Sequence, residues 1–182
     1  MAKTALLVMD VQTAIVRRFV EDAGYLPRLR RAIDAARAAH IPVIYVRVGF
    51  REGYPEVSPR NKGFSAIKEH GGFTDAELEI HPDIAPRPGD VVVTKRRVSA
   101  FTGSDLDVVL RAADAEELVL TGIATSGVVL ATLCQAYDLD FRLTVLSDGC
   151  LDRDREVHGV LTEKFFPGRG EVTTVDAWIK RL

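Results

Sequence analysis

The residues from Glu117 to Tyr137 limit what this 182-residue chain can fold into more than any other stretch. Leu118 to Leu120 reads as a buried strand. Thr121, Gly122, Ala124, Thr125, Ser126 and Gly127 then crowd a junction of small side chains, and a helix opens near Ser126. The first N–H groups of a helix have no partner within it. Together with the positive end of the helix dipole they suit an anion or a developing oxyanion. In an open parallel sheet such a junction sits at the carboxyl edge, where ligands bind.

The rest of the chain repeats the same alternation. Ala5–Met9 is a continuous apolar run closed by Asp10, the pattern of a strand covered on both faces. Leu29, Ile33, Ala36 and Ala39 recur at helical spacing after Pro27, and Pro42 opens a second strand, Val43–Val48, with Arg47 near its end. Asp90–Thr94 reads as the third strand, followed by Lys95. Ser104 reads as the cap of a helix through Leu106, Val109, Leu110 and Ala113. Phe141–Leu146 is a fifth strand, Arg153–Phe165 a helix, Glu171–Thr174 a sixth strand and Val175–Leu182 a final helix. Strand alternating with helix predicts a three-layer α/β/α fold, Rossmann-like, with a six-stranded parallel sheet in one domain spanning residues 1–182.

Gly49–Gly89 breaks the rhythm. Five prolines and six glycines leave room for little beyond a helical turn near Ser65–Lys68. A connection this long serves as a lid or binding loop, or as an arm laid on a second subunit. It carries Phe50, Arg51, Tyr54, Arg60, Lys62 and Phe64, a set that suits a small planar acid.

Composition removes several classes. A net charge of −2 offers no field for nucleic acid. No apolar run is long enough to span a bilayer and no leader pattern precedes the first strand, so a cytoplasmic protein with no membrane partner is expected. Cys134 and Cys150 form no CxxC pair, so a disulfide is not expected. His40, His70, His81 and His158 lack ligand spacing, and no phosphate-binding glycine motif follows the first strand. The expectation is no metal and no cofactor.

Asp10, Lys95 and the Thr121–Thr125 junction each close a strand, so a parallel sheet gathers a carboxylate, an ammonium and backbone donors along one edge. A carboxylate beside a lysine can shuttle protons, and the lysine steadies negative charge. LLVMDVQ at 6–12, VTKRRVSAFTGSDL at 93–106, TGIATSGVVLAT at 121–132 and SDGCLDRDREVH at 147–158 together resemble the isochorismatase-like hydrolases, also called cysteine hydrolases, across nearly the whole chain. That resemblance implies an Asp–Lys–Cys catalytic set, with Asp10 and Lys95 in the first two places, and a cis peptide at Ile123–Ala124. It puts the nucleophile six residues after Gly122, where this chain has Val128. Valine cannot attack a carbonyl. Ser126, Cys134 and Cys150 are the candidates to replace the thiol.

The resulting expectation is a hydrolase using Asp10 and Lys95 without a cysteine, acting on a small molecule, carboxylates among the candidates. Vinyl-ether hydrolysis is favoured over amide hydrolysis. Ala124, Thr125, Gly127, Val128, Gln12 and Arg47 are the expected substrate contacts, in a homodimer or larger homo-oligomer. The alternative is an inactive relative that binds a small molecule or acts as a scaffold.

Overall fold

In the computed structural model, which describes residues 3–19 and 21–182, six strands form one sheet: β1 (Thr4–Met9), β2 (Val43–Val48), β3 (Val91–Lys95), β4 (Glu117–Ile123), β5 (Arg142–Leu151) and β6 (Glu171–Thr173). Their order is β3-β2-β1-β4-β5-β6 and every pairing is parallel. The order reverses between β1 and β4, so the carboxyl ends of these two strands flank the crevice that such sheets use for ligands. The apolar runs make two cores, because alternate residues of a strand face opposite ways. Leu7, Met9, Ile44, Val46 and Val93 pack on one face under α5 (Leu106–Ala112) and α6 (Leu130–Asp138). Leu6, Val8 and Tyr45 pack on the other face under α2 (Tyr25–Ala38) and α8 (Val175–Ile179).

The sequence reading differs from the structure in four places. Helix α1 (Thr13–Phe19) was not anticipated; it is two turns long and buries only Ala14 and Val16, too short for periodicity to declare it. The 49–89 segment holds α3 (Lys62–Glu69), α4 (Asp75–Leu78) and a 3₁₀ turn at Pro82–Ile84. Thr74 and Glu77 form a complete capping box on α4, a sequence signal that was missed. Ser104 is not the cap of α5. Asp105 holds that position without a side-chain bond, while the Ser104 hydroxyl donates to the Ala100 carbonyl and accepts from the Leu106 N–H. Finally, β5 does not stop at Leu146. A register shift beside β4 lets it run on to Leu151, pairing Cys150 with Gly122 and Leu151 with Ile123.

The 49–89 segment folds back on its own chain. Arg96 donates to the Gly49 carbonyl at 2.6 Å and Arg97 to the Glu56 carbonyl at 2.8 Å. Phe50 stacks on Tyr54 and meets Phe64 edge-on. The two arginines that leave β3 thus hold the start of the segment down.

Candidate active site

Asp10 is the first residue past β1. Its backbone takes a left-handed conformation, φ 56°, and its N–H donates to the Val46 carbonyl. Lys95 ends β3, two strands away, and its ammonium reaches past the end of β2 to lie 2.9 Å from Asp10 Oδ2. A second ammonium proton goes to the Arg97 carbonyl at 2.9 Å. Both side chains are buried, with Asp10 only 7% exposed and Lys95 2%. Asp10 Oδ1 is buried with no hydrogen-bond partner among the described residues. Burial pushes the Asp10 carboxyl above its ordinary pKa of 3.8, and outweighs the opposing pull of the Lys95 ammonium and of the nearby Val48 N–H, whose own hydrogen bond goes to Gln12.

The Gly122–Val129 junction lies beside this pair. Gly122 sits at φ 141°, and a Cβ there would meet the Met9 carbonyl oxygen at 2.2 Å, so the close approach of β4 to β1 needs glycine. The Ile123–Ala124 peptide is cis. A distorted helical turn, Thr125–Val129, follows; Gly127 departs from helical geometry within it. Val128 is buried in the core with Leu7, Met9 and Phe101, and presents no heteroatom.

Three groups expected at the site make bonds within the fold itself. Part of the donor set at the helix N-terminus is engaged within the chain. The Ser126 N–H is taken by Asp152 Oδ2 at 2.7 Å, and the Gly127 and Val129 N–H groups by the Ala124 carbonyl. Gln12 is engaged within the fold. Its amide exchanges two bonds with the Val48 backbone and donates to the Leu78 carbonyl, clamping the exits of β1 and β2 to α4. Arg47 donates to the Thr94 hydroxyl and to Glu79 Oε1. Strand register puts Arg47 beside Thr94 and Val48 beside Lys95, so the guanidinium leaves the sheet on the face opposite Lys95.

The substitute nucleophiles fare as follows. Cys150 is buried, its thiol pushed up to about 12 by desolvation, and it leans on the Leu120 carbonyl. Cys134 packs against the α5/α6 core from partway along α6. Ser126 is exposed and its backbone is capped by Asp152. The histidine that does reach the junction, His158, bonds Thr125 rather than Ser126, with Nδ1 2.8 Å from Thr125 Oγ1. His158 comes from α7 (Arg155–Val160) and is half-buried, and burial holds its pKa below the ordinary 6.5. No spacing rule links residues 125 and 158; only the pairing of β4 with β5 brings them together.

A parallel sheet covered by helices on both faces is a three-layer α/β fold, and a buried acid–lysine pair lies at its carboxyl edge. The Isochorismatase domain model matches residues 4–177, and the chain belongs to the isochorismatase family of hydrolases. It is 34% identical over 174 residues to the ureidoacrylate amidohydrolase RutB of Stutzerimonas stutzeri, covering 81% of this chain and 69% of that one. An uncharacterized isochorismatase family protein of Bacillus subtilis, YwoC, is 29% identical over 182 residues, covering 99% and 94% of the two chains. Among solved structures, a cysteine hydrolase from Pseudomonas syringae pv. phaseolicola superposes with a TM-score of 0.87 at 26% identity, covering 98% of this chain and 92% of that one. The N-carbamoylsarcosine amidase of Thermoplasma acidophilum superposes with a TM-score of 0.76 at 25% identity, covering 96% and 97%.

Proposed function

We propose that this hydrolase cleaves a small substrate through Asp10 and Lys95 with no cysteine in the reaction, and that its substrate is a vinyl ether. The observation that carries this reading is the pairing of a buried carboxyl, one oxygen held by Lys95 and the other unpartnered, with a valine at position 128. An acid donor must hold its proton near the working pH, and burial favours that form of Asp10. Protonated Asp10 gives its proton to the enol-ether carbon. The oxocarbenium ion that results is captured by water, whose proton returns to the Asp10 carboxylate. The hemiketal then falls apart to an alcohol and a ketone. Lys95 stabilises the carboxylate in the interval between the two proton transfers. Amide cleavage through an acyl-enzyme would need a nucleophile that Val128 does not supply.

The test is to incubate the protein with isochorismate, a carboxylated vinyl ether, alongside ureidoacrylate, N-carbamoylsarcosine and nicotinamide. Release of the ketone from isochorismate with no ammonia from the amides supports the reading; turnover of the amides alone defeats it. The near-complete burial of Asp10, Lys95 and Val128 favours a second reading, a binding or scaffold protein. In that case none of the four compounds is turned over.

A further inference from the structure

Arg97 is bonded in two directions at once. Its backbone carbonyl accepts from the Lys95 ammonium at 2.9 Å. Its guanidinium donates to the Glu56 carbonyl at 2.8 Å and to the Arg96 carbonyl at 2.7 Å, and lies 5.9 Å from the centre of the Phe64 ring on α3. The neighbouring residues have anchors of their own. Arg96 bonds Gly49 and Thr102, while Ser99 and Ala100 bond Gln135 and Thr132 of α6. Val98 is exposed, and among the described residues no backbone N–H donates to the Arg97 carbonyl. The peptide that holds Lys95 is thus steadied by the side chain of Arg97 itself. The far end of that tether is firm as well. The Glu56 carboxylate lies 2.7 Å from Arg51 and 3.4 Å from Arg96, and Val57 beside it is buried.

Taking Asp10 and Lys95 as the reacting pair, we propose that Arg97 is their positioning residue: clamped on the 49–89 segment, it fixes the carbonyl that holds the Lys95 ammonium against Asp10. A lysine ammonium rides on a flexible four-carbon stem and turns freely about its last bond. One acceptor, the Asp10 carboxylate, does not settle its direction. A second acceptor at 2.9 Å does, provided that the acceptor itself stays in place. Arg97 keeps it in place with a planar fork whose donors reach two carbonyls at once. The 49–89 segment and the acid–lysine pair are thereby coupled. When Glu56 and Phe64 lift away from Arg97, the carbonyl loosens, Lys95 gains freedom, and Asp10 loses part of the cation beside it. Arg97 acts through Lys95 and needs no contact with substrate to do so.

The ionisation of Asp10 reads out the hold on Lys95. Burial raises the Asp10 pKa and the Lys95 charge pulls it down; an opposite charge at such range does so by about 1–3 units. Heteronuclear NMR on aspartate-labelled protein follows the titration, and Asp10→Asn assigns its signal. Arg97→Met and Arg97→Gln both release the Glu56 carbonyl, and thermal melts show that each variant is folded. In either one the Asp10 midpoint should rise by about 0.5 pH unit or more, at low and at high salt alike. On a substrate that is turned over, the fall of kcat/KM at high pH should move up by the same amount. A folded variant whose Asp10 midpoint matches wild type overturns the proposal. So does a rise that disappears at about 0.5 M sodium chloride, because a screened effect reports the missing Arg97 charge and not a loosened lysine. The titration requires no turnover. Failure of the catalytic reading would show separately, as no conversion of isochorismate by the wild-type chain.

Discussion

Lys95 and Asp10 meet at 2.9 Å although a whole strand, β2, separates the strands that carry them. The contact forms because Asp10 turns back in a left-handed conformation just past β1 and Lys95 closes the outermost strand. The candidate site is thus assembled from the ends of β1, β3 and β4.

The first prediction follows from the unpartnered oxygen of Asp10. Asp10→Asn keeps the size of the side chain and removes its proton. If Asp10 is the donor, kcat on any turned-over substrate should fall by roughly 10²–10⁴-fold, the usual contribution of a general acid or base. KM should move far less. An unchanged kcat would take Asp10 out of the chemistry. In the wild-type enzyme, kcat/KM should decline as pH rises through the raised Asp10 pKa, since ionisation removes the donor.

Breaking the pair from its other end tests stability instead. Lys95→Met leaves the Asp10 carboxyl buried without a cation, and losing one member of a buried pair costs about 3–5 kcal/mol when the other stays charged. Asp10 can escape by holding its proton, so the penalty should shrink as pH falls toward 4. Chemical denaturation of both proteins at pH 7.5 and pH 4.5 measures the difference. An equal penalty at the two pH values would show that Asp10 does not titrate in response to Lys95.

Thiol reagents should leave any activity intact. Burial holds the Cys150 thiol up at about 12, so at neutral pH almost none of it is thiolate. Quantifying labelled thiols against residual rate settles the matter; complete inactivation on labelling one cysteine, with substrate protecting it, would identify a relocated nucleophile.

His158 should make the fold sensitive to mild acid. Its folded-state pKa lies below 6.5 because burial disfavours the imidazolium, with Asp152 and Glu163 pulling weakly the other way. Between 6.5 and that lower value the unfolded chain binds a proton that the folded chain does not, so stability declines as pH falls through this window. His158→Gln, which can still bond Thr125, should flatten the decline. Melting temperatures from pH 7.5 to pH 5 would show it, and identical slopes for the two proteins would refute it.

Gly122→Ala should be costly for a residue that gains one methyl. The new carbon would lie 2.2 Å from the Met9 carbonyl oxygen, a backbone atom that cannot swing aside, at a φ of 141° that alanine avoids. Overpacking of this kind costs about 1–3 kcal/mol or more, which at this size lowers Tm by roughly 2–4 °C per kcal/mol. A melt within one degree of wild type would contradict the close strand approach.

Much of this architecture was legible before any coordinates. Unbroken apolar runs such as Ala5–Met9 leave few alternatives to a strand covered on both faces, and their alternation with helical periods implies a parallel sheet with Asp10 and Lys95 on one edge. What was illegible has a common cause. Gln12 and Arg47 look like binding groups in sequence, yet partners distant in the chain, Val48, Leu78, Thr94 and Glu79, engage them within the fold. Asp152 capping Ser126 and His158 meeting Thr125 also depend on β5 running past Leu146, and a local pattern cannot announce a register shift against a neighbouring strand.

If the Asp10–Lys95 pair carries the reaction, the reach of Lys95 across β2 ties turnover to an edge strand of the sheet. β3, like β6 at the other end of the sheet, has a neighbour on one side only, and such an edge opens before the interior does. Were it to peel away, Leu6, Val8, Val119 and Leu120 would remain packed in the interior, but Asp10 would have lost its ammonium. On the proposed mechanism the enzyme would go silent while most of the molecule stayed folded. Loss of activity on warming should therefore precede global melting and keep step with amide exchange at Val91–Lys95, so that the rate of turnover serves as a gauge of whether the sheet is complete.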